Sequence, residues 1–171
     1  MRSAPAHACA PASARFEPSD PDYAARVRAS FGRQKVMAFL GAGLTGIGPG
    51  WCEIRLPYRE ELTQQNGYFQ AGIIGAIIDN AGGYAGYTLM PADASVLTVE
   101  YKLNLLAPAD GELLIARGEV VKPGRTLTIT RGDVVVLKRG RETHCATMQQ
   151  TLMALHGKPD ERPSGRKEQP R

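Results

Sequence analysis

The chain has no apolar run approaching the roughly 20 residues that a membrane-spanning helix needs, so it does not read as a transmembrane protein. Cysteine is scarce. The three residues, at 9, 52 and 145, form neither a CxxC pair nor a zinc-knuckle spacing. An odd count without a secretion signal argues against a disulfide scaffold and points to a reducing cytoplasm. Strong charge is lacking too. Twenty-one Lys and Arg against 17 Asp and Glu leave a net +4, and part of that excess sits between Glu161 and Arg171. Aromatic and basic residues do not interleave as they do in nucleic-acid binders. The expected partner is therefore neither nucleic acid nor membrane. A mild positive balance is met equally well by the anionic tail of a nucleotide or coenzyme.

What remains is a chain of 171 residues, 43% apolar and 22% charged, long enough for one domain with a real core. Composition divides it into an Ala/Pro/Ser-rich disordered tail over 1–18, a single domain over 19–156 and a disordered tail over 157–171. Ser19-Asp20-Pro21 reads as a helix cap with Pro21 at the first helical position. Tyr23, Val27, Phe31, Met37 and Leu40 then form the apolar stripe of one helix, ended at Gly41. Strands are expected over 44–47 and 51–56, where Cys52, Ile54 and Leu56 alternate with Trp51, Glu53 and Arg55. Four longer strands are expected over 96–105, 112–121, 126–138 and 143–152. Short turns at 107–111, 122–124 and 139–140 imply a meander.

Between these halves, the segment from Gly72 to Leu89 contains five glycines and, apart from two tyrosines, one ionisable group, Asp79. A helix apolar nearly all round is a buried helix. Five glycines, each costing about 1 kcal/mol against Ala, leave it unstable unless a sheet wraps closely around it. No Lys or Arg lies within four residues of Asp79, so no intrahelical ion pair serves it. Either this carboxylate bonds across a subunit contact or to a loop backbone, or it is used in chemistry. Gln64, Gln65, Asn66 and Gln70 cluster just before the helix, where amides either satisfy the loop or orient water. The helix start leaves the backbone amides of Ala71, Gly72 and Ile73 as potential oxyanion donors. His144 and His156 show no carboxylate partner in the sequence. His144 and Cys145, as neighbours on a strand, face opposite ways.

The run from Gln65 to Gly72, followed by Ile77-Ile78-Asp79-Asn80-Ala81-Gly82-Gly83-Tyr84-Ala85, resembles the signature of hotdog-fold acyl-CoA thioesterases of the PaaI-like group. The stretches Leu97–Ala109 and Val120–Thr126 resemble that family as well, and the likeness covers about residues 36–153. The resemblance implies an α+β hotdog fold, a long central helix wrapped by a curved antiparallel sheet. It also implies a homodimer, often doubled to a tetramer, with active sites between subunits.

By position, Asp79 matches the family's catalytic carboxylate, acting as general base or nucleophile. Ala71 and Gly72 match the residues whose amides polarise the thioester carbonyl. Gln64 matches an amide that holds water, and Thr98 a hydroxyl that approaches the water from the neighbouring subunit. Gln70 stands where the family usually has His, and Gln cannot titrate near neutrality. Lys122 and Arg125, and separately Lys138, Arg139 and Arg141, are candidates for the phosphates of coenzyme A. The acyl tunnel is expected along the helix and residues such as Tyr84, Leu97 or Leu103, with Tyr68 and Phe69 as alternatives. No metal and no cofactor are expected, since coenzyme A is part of the substrate. The implied function is acyl-CoA hydrolysis. A non-catalytic acyl-CoA or small-ligand binding module is the alternative, and a hotdog hydratase or dehydratase ranks below it.

Overall fold

The computed structural model describes residues 16–158 and 160. Most of both expected tails therefore lies outside the described residues. The elements, in order, are α1 (Tyr23–Gly32), α2 (Lys35–Leu40), β1 (Gly43–Gly48), β2 (Trp51–Pro57), a 3-10 turn (Glu60–Leu62) and α3 (Ala71–Tyr87). There follow β3 (Ser95–Leu105), β4 (Leu113–Lys122), β5 (Leu127–Lys138) and β6 (Arg141–Leu155). The six strands form one antiparallel sheet in the order β1-β2-β4-β5-β6-β3, open rather than closed into a barrel. The sheet wraps α3, which packs against every strand from β2 to β6. This is the α+β hotdog arrangement.

Local signals account for most elements. In β2, Cys52, Ile54 and Leu56 are fully buried, as alternation requires. Gly41 closes α2 with φ 78°, a left-handed cap that suits a residue without Cβ. The β5–β6 turn is a two-residue hairpin with positive φ at Arg139 and Gly140.

Three expectations are corrected. The segment before Gly41 is two helices, not one. Gln34 adopts an extended conformation, while the amides of Arg33 and Gln34 fold back onto the carbonyls of Ser30 and Phe31. The apolar stripe survives the break, because Val27, Met37 and Leu40 all reach the core. Pro21 also precedes the helix instead of opening it. The carboxylate of Asp20 accepts the Asp22 amide at 2.9 Å and holds Arg26 at 2.8 Å, so the cap lies outside the first turn. Finally, β3 does not pair with β4. It lies at the far edge against β6. The link from Leu106 to Glu112 crosses the sheet end, held by Leu106 N–H to Cys145 O at 2.9 Å and Glu112 N–H to Leu137 O at 2.8 Å.

Close approach explains why so glycine-rich a helix is stable here. A Cβ on Gly118 of β4 would sit 2.3 Å from the Ala81 carbonyl, and one on Gly82 of α3 would meet the Gln150 side chain at 2.2 Å. Helix and sheet touch main chain to main chain. Gly118→Val is expected to destabilise the fold by about 3 kcal/mol or more, because helix backbone cannot move aside as a side chain can. Urea unfolding measures it, and a loss below about 1 kcal/mol contradicts this packing.

Among the described residues no helix is long and apolar enough to cross a membrane. No group of three His, Cys, Asp or Glu is arranged to hold a metal ion among them either.

Candidate active site

Helical spacing puts Ala76, Asp79, Asn80 and Gly83 on one face of α3. That face, with Tyr84, forms one wall of a cavity of about 390 Å³. Gln34, Val36 and Met37 come to it from the α1–α2 region, and Val96 and Thr98 from β3. Val96 and Thr98, two apart on a strand, share a side. Leu97, expected to line the acyl tunnel, points the other way and is 54% exposed, and Val96 lines this cavity in its place. Leu103 packs near Gly75, and Phe69 is buried against the ring of Tyr58. Tyr84 is buried as expected, and its hydroxyl meets Ser30 at 3.2 Å and Gln34 at 3.0 Å.

Asp79 is half-buried and has no cation beside it among the described residues. Its Oδ1 accepts from Thr98 Oγ1 at 2.8 Å and from Gln150 Nε2, while Oδ2 has no partner among the described residues. Gln150 Nε2 also donates to Thr98 Oγ1 at 3.0 Å, and Thr130 Oγ1 donates to Gln150 Oε1 at 3.0 Å. Burial raises the Asp79 pKa above the ordinary carboxylate value, and the bonds from Thr98 and Gln150 pull it partly back. The result is a carboxylate held in place through one oxygen, with raised basicity and a free second oxygen on a cavity wall.

Thr98 bonds to the Asp79 of its own chain, so these two residues enter any site together. Gln150 was missed by sequence reasoning. Its signal was the alternation Met148-Gln150-Leu152, which sets a fully buried amide at a core position of β6 where it must find partners. Gln150→Leu removes one of the two bonds that favour the charged form of Asp79. The acid limb of the pH–rate profile is expected to move to higher pH. An unmoved or lowered limb contradicts the role.

Gln70 caps α3: its Oε1 accepts the amides of Gly72 and Ile73. This corrects the expected pair of oxyanion donors, since the Gly72 N–H is already engaged. The Ala71 N–H has no acceptor among the described residues. Gln64 Oε1 accepts the Asn66 amide within its own loop, which leaves its NH₂ group available. Ala71 and Asp79 lie eight residues apart on one helix, about 12 Å along its axis. They cannot both touch one carbonyl group within a single chain.

The two basic groups are also far apart. Lys122 and Arg125 flank the β4–β5 turn, whereas Lys138, Arg139 and Arg141 lie at the β5–β6 hairpin, a 12-residue strand away. Lys138 is paired with Asp110 at 2.6 Å. Arg125 lines a second cavity of about 420 Å³, where its carbonyl meets His156 Nε2 at 2.7 Å. His144, expected to lack an acidic partner, lies 3.0 Å from Asp133 on the exposed sheet surface, because register brings these neighbours on β5 and β6 together. It lines neither cavity. Cys145 is fully buried on the opposite side, its thiol pushed up to about 11 by burial and donating to Val134 O at 3.3 Å.

Comparison with known proteins agrees with the fold. The Thioesterase superfamily model matches residues 66–143, from the loop before α3 to the start of β6. An esterase candidate of Halobacterium salinarum is 33% identical over 119 residues, covering 67% of this chain and 78% of that protein. The crystal structure of a thioesterase family protein from Silicibacter pomeroyi is 51% identical, with a TM-score of 0.78, over 79% of this chain and 99% of that one. The E. coli PaaI protein, at 13% identity and a TM-score of 0.72 over 81% of this chain and 96% of its own, shares the fold. A superfamily pattern running through the helix that carries Asp79, with half-identity to a solved relative along almost its whole length, makes this chain a member of the hotdog-fold thioesterase superfamily.

Proposed function

We propose that the protein hydrolyses acyl-CoA thioesters at a site shared between two copies of the chain. The observation that carries this reading is Asp79, a half-buried carboxylate held through Oδ1 on a cavity wall, with neither a cation beside it nor a partner for Oδ2 among the described residues. One chain brings Asp79, Thr98 and Gln150. The other brings the Ala71 amide and the NH₂ of Gln64. The 12 Å between Ala71 and Asp79 requires this division. Edge strand β3 offers the surface for pairing: Leu97, Val99, Tyr101 and Leu105 are exposed along its length, and one side of its backbone has no strand beside it among the described residues.

In the reaction, the thioester carbonyl accepts a hydrogen bond from Ala71 N–H at the positive end of α3. Asp79 Oδ2 takes a proton from water as the water oxygen bonds to the carbonyl carbon. The tetrahedral anion collapses, breaking the carbon–sulfur bond. Coenzyme A leaves as a thiolate, of modest basicity because thiols titrate near pH 8.5, and takes up the proton from Asp79. In the nucleophilic variant, Asp79 forms an anhydride that water then opens. After a single turnover in ¹⁸O-water, label in the Asp79 carboxylate identifies the anhydride route, since general-base attack leaves that carboxylate unlabelled. Lys122 and Arg125, whose side chains have no ion-pair partner among the described residues, are our preferred contacts for the phosphates. We place the protein in the cytoplasm, where acyl-CoA is made and used.

The test is release of free thiol from a panel of acyl-CoAs. Steady turnover on at least one supports hydrolysis. The Gln70 side chain on the Gly72 and Ile73 amides favours a second reading, a binding module with two of its three helix-start donors capped. Saturable acyl-CoA binding with no thiol released would establish that reading instead.

A further inference from the structure

Among the glycines of α3, Gly83 differs from its neighbours. An added Cβ at Gly82 or Gly86 would strike Gln150 or Leu152 at 2.2 or 2.3 Å, and one at Gly72 would press on its own cap, Gln70, at 2.8 Å. At Gly83 an added Cβ would meet nothing within 4 Å among the described residues, and its φ lies outside the left-handed region. Neither packing nor backbone conformation asks for glycine there, and Ala would be the better helix former. Gly83 lines the same cavity as Asp79, one helical turn further along the same face, about 6 Å down the axis. The missing side chain widens that cavity at one depth, while Ala76, a turn to the other side of Asp79, keeps its methyl.

We infer that Gly83 is a specificity-determining residue: it makes room for acyl groups that carry bulk, a ring or a branched carbon, about one helical turn from the thioester carbonyl. This rests on the hydrolase reading for the placement of the carbonyl beside Asp79. A straight methylene chain is no wider than a wall lined by methyl groups allows, and gains little from the extra width. A ring fills it, excludes water from the apolar surfaces of Val36, Met37 and Val96, and gains affinity by contact. A methyl group at position 83 would remove that gain.

The test uses the full-length protein and two non-hydrolysable thioether analogues, of 3-cyclohexylpropanoyl-CoA and of hexanoyl-CoA. Titration calorimetry gives the ratio of their Kd values for the wild type and for Gly83→Ala. The wild type is expected to favour the ring analogue at least tenfold, and Gly83→Ala to cut that preference tenfold or more. The variant is also expected to melt at a higher temperature, which separates lost selectivity from a damaged fold. A wild type without the preference overturns the inference, as does a variant that keeps it within twofold. A variant of altered mass in sedimentation with unchanged preference assigns the space to a second copy of the chain, and equally overturns it. Thiol release by the wild type is measured alongside. Ring-selective binding without hydrolysis removes the hydrolase reading and leaves the inference standing. Binding of neither analogue removes both.

Discussion

Asp79→Asn is expected to lower kcat/KM for acyl-CoA hydrolysis about 10²- to 10⁴-fold, the usual worth of a positioned general base. Asn has the same shape, and its oxygen can still accept from Thr98 and Gln150, so the cavity wall is preserved. What is lost is the free Oδ2 that takes the proton. The same substitution carries a second, opposite expectation for stability. Burial raises the pKa of Asp79 in the folded chain above its value in the unfolded chain. As pH rises through the ordinary carboxylate range, the unfolded state ionises first. The native state loses stability until the raised native pKa is passed, and the loss then persists to neutrality. Asn does not ionise. The variant is therefore expected to melt higher than wild type at pH 7, with the gap closing below the ordinary carboxylate pKa. Thermal unfolding across pH measures it. An inactive protein that is less stable at neutral pH would mean that the carboxylate holds the fold together.

The second large effect concerns a single backbone proton. Ala71 is the first residue of α3, a position where proline is well tolerated because the amide there has no intrahelical acceptor. Gln70 before it has φ −71° and ψ 140°, the extended conformation that a residue preceding proline adopts. Ala71→Pro thus deletes one N–H with little disturbance to the chain. With the Gly72 and Ile73 amides already taken by Gln70, no second backbone donor at the helix start is free to replace it. Turnover is expected to fall about 10²- to 10³-fold, the loss that follows removal of one oxyanion donor, with an unchanged melting profile. Full activity in a folded Ala71→Pro protein would move the oxyanion site elsewhere.

The features legible in the sequence were those written in local composition. One carboxylate in a helix otherwise free of charge identified Asp79, and the excess of glycine in that helix predicted the close sheet that Gly118 and Gly82 now explain. Alternation placed Cys52, Ile54 and Leu56 inward, where all three are buried. The order of strands was not legible, because pairing of β3 with β6 depends on where a long helix delivers the chain and no turn encodes it. The break at Gln34 was hidden by an apolar stripe that continues across it. Gln150 was hidden in the opposite way: a polar residue in a strand looks like an outward one until its neighbours at 148 and 152 are both seen to face the core. The two basic groups were read as separate in the sequence, and the length of β5 sets them at opposite ends of the sheet.

The central claim is that Asp79 of one chain and the Ala71 amide of another serve the same carbonyl. Subunit complementation tests it most directly. Asp79→Asn and Ala71→Pro chains, each inactive alone, are mixed in equal amounts, unfolded and refolded together, and assayed for thiol release. Random pairing of a two-fold dimer makes about half the molecules mixed, each with one intact site, so activity is expected to return to about a quarter of the wild-type level. A mixture no more active than its parents, although mixed dimers are present, would show that each chain builds its site alone.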